Sequence, residues 1–129
     1  VAEASMDAYA RAVVEMTNEE RAKQGLDALV VDADAVAAAQ LRAAELAQSF
    51  SHTRPNGESC FTALDEVGAV YSGAGENIAR GQMTAERVMA SWMSSPGHYA
   101  NIMRESYTRI GVAHVVIDGV HLWVQLFLR

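Results

Sequence analysis

Asp118-Gly119 lies between two apolar runs, Arg109-Ile110-Gly111-Val112-Ala113-His114-Val115-Val116-Ile117 before it and Val120-His121-Leu122-Trp123-Val124-Gln125-Leu126-Phe127 after it. Asp-Gly flanked by β-branched and aromatic residues is the strongest short-range hairpin signal a sequence carries. The two strands must therefore be antiparallel, because a two-residue turn leaves no room for a crossover. Little else in the chain reads as strand. The fold class expected is α+β, with helices around a small antiparallel sheet.

Helical spacing fills most of the first hundred residues. Tyr9, Val13, Met16 and Glu20 mark one side of a first helix that Ser5 can cap, with Asp7 in its opening turn and Gly25 as its stop. Leu26 and Leu29 anchor the connection that follows. Arg21, on the same helix, reads as a solvated surface charge rather than a buried tie to a neighbouring loop, since arginine is seldom buried. Asp32 or Asp34 opens a second helix, from 35 to about 49, with Val36, Ala39, Ala43, Leu46 and Phe50 as its apolar stripe. Its alanines favour helix and allow close packing.

Arg54-Pro55-Asn56-Gly57 is turn chemistry, and Ser59 can cap a short helix running to Gly68. Cys60 lies there, the single cysteine of the chain, and reads as a small buried hydrophobe with no catalytic role. Thr84 caps a further helix, from 85 to about 94, whose Val88 and Trp92 share a face beside Met89 and Met93.

Charge and size narrow the function classes. The 129 residues suit one domain, and ten basic against sixteen acidic residues leave a net charge of −6. That balance argues against nucleic acid and against anionic membrane surfaces, both of which select clustered lysine and arginine. No apolar run approaches the roughly 18 residues of a membrane span. Val1 in first place is expected of a processed or trimmed chain. His-Glu-x-x-His, Gly-x-Ser-x-Gly, P-loop and paired Cys-x-x-Cys patterns are absent.

What remains is a glutamate and two histidines, each beside a turn. Gly75-Glu76-Asn77-Ile78-Ala79 sits between glycine-bearing turns, and the stretch from Glu76 to Arg80 is a candidate third strand. His52 follows the second helix, where the dipole favours imidazolium, or where it simply caps the last carbonyls. His98 follows Pro96-Gly97 at the start of a short helical turn, an N-terminal position that lowers an imidazole pKa. His52, Glu76 and His98 are expected to converge on one polar cleft, with Arg54 and Arg80 as nearby cations. Two imidazoles plus a carboxylate would suit catalytic zinc with an open water position. Alternatively Glu76 stands behind a histidine and fixes its tautomer, leaving two protein ligands. His114 and His121 flank the hairpin turn and read as solvated or as cross-strand neighbours, outside the site.

Asn18-Glu19-Glu20-Arg21, Phe50-Ser51-His52, Gly75-Glu76-Asn77-Ile78-Ala79, Trp92-Met93-x-Ser95-Pro96-Gly97-His98, Asn101-Ile102-Met103, Ile110-Gly111-Val112 and Trp123-Val124-Gln125-x-Phe127 occur in that order. The pattern resembles the CAP superfamily (cysteine-rich secretory, antigen 5 and pathogenesis-related-1 proteins), most of all its cysteine-poor bacterial SCP-like branch. The resemblance implies a single domain over 1–129, built as a three-layer α-β-α sandwich with a small antiparallel sheet. It implies a secreted or cell-envelope location; a monomer is expected. It also implies a cleft in which His52 and His98 hold zinc or another divalent metal weakly, with Glu76 behind them. Ser95 stands where eukaryotic relatives carry a second glutamate, so the family's four-residue set is incomplete here. The function expected is a binding module for a lipid, a peptide or a cell-envelope component. The alternative is a metal-assisted, peptidase-like hydrolase using the same cleft.

Overall fold

In the computed structural model, which describes residues 5–129, helices and strands follow in the order α1 (Ala8–Lys23), β1 (Val30–Val31), α2 (Ala33–Leu46), α3 (Thr62–Glu66), β2 (Ala74–Arg80), α4 (Ala85–Met93), α5 (Pro96–Ile102), β3 (Arg109–Ile117) and β4 (Val120–Leu128). The predicted hairpin forms, pairing Ile117 with Val120. Asp118 and Gly119 both take positive φ, 52° and 76°, as the tight turn requires. The four strands lie in the order β1-β3-β4-β2. β2 and β3 are antiparallel to β4, while the two-residue β1 pairs in parallel with β3.

Alternate residues of β4 sort into two cores, which makes the sheet the middle of three layers. Trp123 and Phe127 face α1, α4 and α5, together with Val13, Trp92 and Ile102. Leu122, Val124, Leu126 and Leu128 face α2 and α3, together with Ala39, Ala43 and Leu64. The three-layer α+β sandwich expected from the resemblance is therefore the fold. A central strand covered on both faces reads as an almost unbroken apolar run, and β4 does.

Helix starts follow side-chain chemistry. Thr84 caps α4 as expected, accepting a hydrogen bond from the Arg87 amide at 3.1 Å. α1 is capped by Asp7, whose Oδ1 accepts from the Ala10 amide at 2.8 Å, and not by Ser5, two residues too early. Asp32 caps α2, which ends at Leu46 and leaves Phe50 in an exposed connection rather than on the helical stripe. α3 starts later than expected: Ser59 bonds the Phe61 amide, and Phe61 holds the cap position without a side-chain bond.

Arg21 is buried and not the solvated surface charge expected. Its guanidinium is 1% exposed and donates to the carbonyls of Asp27, Ile102 and Arg104 at 2.9, 2.8 and 3.0 Å. Burial lowers its pKa and Asp27 partly offsets this, but an arginine so placed stays charged. It ties the end of α1 to the segment that leads from α5 into β3.

Candidate functional site

β2 is the free edge of the sheet, yet residues 75–79 are all buried. Side chains cover that edge: Trp92 donates its indole N–H to the Ile78 carbonyl at 3.1 Å, and Asn101 donates to the Glu76 carbonyl at 3.4 Å. Because side chains alternate along a strand, Glu76 points to the α2 side and Asn77 to the α1 side. The Asn77 amide donates to the His98 carbonyl at 3.1 Å and to Gln125 Oε1 at 3.0 Å, and Gln125 in turn donates to Thr17 at 2.8 Å. A buried polar chain thus fixes the α5 segment to the core.

Glu76 is held from both sides. Arg42, on α2 and fully buried, donates Nε–H to Oε2 at 2.8 Å and Nη2–H to Oε1 at 3.2 Å. His52 Nδ1 lies 2.8 Å from Oε1. Burial alone would push the Glu76 carboxyl up; the hydrogen bonds from His52 and Arg42, with their charge, overcome it and hold the group below the usual carboxylate range. Arg42 also reaches the Ser51 carbonyl at 2.6 Å and Glu45 at 2.9 Å, so it fastens the connection bearing His52 to α2. No local pattern singles out Arg42; only the packing of α2 on the sheet, which brings Arg42 to Glu76, reveals it.

His52 is exposed, and with Glu76 on Nδ1 its Nε2 is left for something else. Cys60 is 3% exposed, and its thiol is pushed up to about 12 by burial and then by the Glu76 carboxylate. It stays protonated, consistent with a hydrophobe that also faces Glu76. Donor atoms of His52, Cys60 and Glu76 lie within 4.8 Å of one another. Next to them opens a cleft of about 510 Å³ lined by His52, Thr53, Ser59, Phe61, Tyr107 and Arg104, among others. Arg104 is exposed, stands 5.5 Å over the Tyr107 ring, and forms no carboxylate pair among the described residues.

His98 and Ser95 line a neighbouring hollow of about 270 Å³ with Phe50 and Arg80 rather than the larger cleft. His98 Nδ1 is one of two buried side-chain atoms without a hydrogen-bond partner among the described residues. Burial, and then repulsion from His52, hold its pKa below the usual imidazole range. The direction is the one expected, with burial as its main cause. The cations expected nearby are otherwise engaged: Arg54 is buried against Glu45 and Glu66, and Arg80 stacks 4.7 Å over Phe50. The cation lining the cleft is Arg104 instead, with Arg42 buried behind Glu76.

The chain matches the Cysteine-rich secretory protein (CAP) family over residues 14–127. It belongs to that family. This CAP domain is 40% identical over 129 residues to YkwD, an uncharacterised protein of Bacillus subtilis, covering 98% of the chain and 49% of YkwD. Its fold superposes with a TM-score of 0.86 on an extracellular protein containing an SCP domain from Bacillus anthracis, at 26% identity, covering 94% of this chain and 40% of that one. It superposes with a TM-score of 0.69 on NaASP2 with Zn2+, at 17% identity, covering 95% of this chain and 80% of that one. The domain thus spans about half or less of the two bacterial proteins. No helix among the described residues is long and apolar enough to cross a membrane.

Proposed function

We propose that this CAP domain is an extracytoplasmic recognition module whose cleft binds a polar, anionic ligand beside a weakly held divalent metal. The observation that carries the reading is the arrangement around Glu76. A carboxylate on His52 Nδ1 fixes that nitrogen as the N–H donor and turns the Nε2 lone pair outward, the arrangement in which histidine binds metal. His98 Nδ1, buried and unpartnered beside the neighbouring hollow, is the second donor in this reading, and two imidazoles with waters hold zinc only weakly because lasting zinc sites supply three or four protein ligands. Bound there, the metal would act as a Lewis acid toward a ligand oxygen.

Ligand class follows from charge. Arg42 and Glu76 neutralise each other, so the unmatched cation of the cleft is Arg104, with Thr53 and Ser59 as hydroxyl partners. A carboxylate or phosphate on a peptide or cell-envelope component suits that wall better than a lipid tail, since Phe61 and Ala74 offer little apolar surface. The hydrolase alternative lacks its base here. Both Glu76 oxygens already accept hydrogen bonds, and a metal-bound His52 has no free nitrogen. The extracellular relative supports the location.

Titration of the isotope-labelled domain with an N-acetylated dipeptide, its carboxyl terminus free or amidated, tests the ligand class by NMR. The free acid should shift amides of Thr53, Ser59 and Arg104, and Arg104→Gln should weaken it at least fivefold. Equal shifts from the amide would contradict an anion site.

A further inference from the structure

A second histidine cluster lies outside the cleft, on the α1 face of the hairpin. His114 and His121 are diagonal neighbours across β3 and β4, opposite Trp123 and Val116 respectively. His114 Nε2 and His121 Nδ1 stand 2.8 Å apart. Asp7 Oδ2 lies 2.7 Å from His114 Nδ1, while Oδ1 caps α1. The carboxylate keeps the proton on His114 Nδ1 and leaves its Nε2 as a lone pair. The ring is also immobilised, 4% exposed and set between Tyr9 and Trp123 with centroids 4.4 Å from each. His121 is partly exposed, which gives access from solvent.

We infer that His114 and His121 form a metal site separate from the cleft, suited to an ion of tetragonal preference such as Cu(II). Two nitrogens bound at about 2.0 Å and at right angles lie about 2.8 Å apart, whereas a tetrahedral pair needs about 3.3 Å. The spacing already present matches that between cis positions of a square-planar ion, and binding requires the two rings, aligned along their hydrogen bond, to tilt until both lone pairs converge on the ion. His121 moves its proton from Nδ1 to the outward Nε2, so the exchange of the shared hydrogen bond for the ion needs no net proton release. Waters complete the coordination, and Asp7 supplies the negative charge behind His114.

The test is Cu(II) titration of the domain carrying His52→Ala and His98→Ala, which removes the cleft donors, read by EPR and by quenching of Trp123 fluorescence. One equivalent should bind with hyperfine structure from two imidazole nitrogens. Adding His121→Gln, which keeps an N–H donor toward His114 but removes the ligand, should weaken binding at least tenfold with melting temperature unchanged. Asp7→Asn, still a good helix cap, should weaken it severalfold. Absence of stoichiometric binding in the cleft-less protein, or binding unaffected by His121→Gln, would overturn the assignment.

Discussion

Arg21 and Arg42 show how single charges organise this fold. Each is buried, and each joins segments distant in sequence, Arg21 through carbonyls and Arg42 through Glu76. Removing Arg21 leaves several carbonyls without donors, so Arg21→Met should cost about 3 kcal/mol and lower the melting temperature by roughly 10 °C. Glu76→Gln leaves Arg42 buried without its main counter-charge, a loss of about 3 kcal/mol. Chemical denaturation of both variants checks these values. Neither arginine was legible as a structural tie, because helical spacing says which residues share a face and not what that face meets. His52, Glu76 and His98 were legible as residue types beside turns. The grip of Arg42 on Glu76, and the position of His98 in a separate hollow, depend on contacts between elements.

Among the elements, the hairpin and α4 were readable because their determinants are local: Asp118-Gly119 for the turn and Thr84 for the cap. Thr84→Ala should accordingly cost only about 1 kcal/mol. Gly111 behaves differently. A Cβ there would lie 2.2 Å from the Ala35 carbonyl carbon and 2.4 Å from the Val36 nitrogen, so α2 crosses β3 backbone to backbone. Gly111→Ala should separate these elements and cost more than Thr84→Ala, with loss of a cooperative thermal transition as the limiting outcome. β1 escaped sequence reading because two residues carry no period. Its pairing is set by Arg109, which bonds Asp32 at 3.1 Å, and by the backbone of β3.

For the whole molecule, pH is the natural probe. Glu76 has its folded pKa depressed, so its contribution to stability is present above the ordinary carboxylate range and is lost as pH falls through and below that range. His98 is also lowered, so the unfolded chain takes up its proton first and stability declines once pH falls below about 6.5. Both act in the same direction. Melting temperature should therefore fall in two stages on acidification, the upper one absent in His98→Ala and the lower one weakened in Glu76→Gln.

In the proposed function His52, in the connection after α2, and His98, on α5, donate to a metal while Arg42 holds Glu76 back. Calorimetric zinc titration tests it most directly, with His121→Gln in every sample so that the hairpin pair contributes nothing. Micromolar binding is expected, lost in His52→Ala and in His98→Ala and fading below about pH 6 as imidazoles protonate. Binding that survives both substitutions, or none at all, would contradict it.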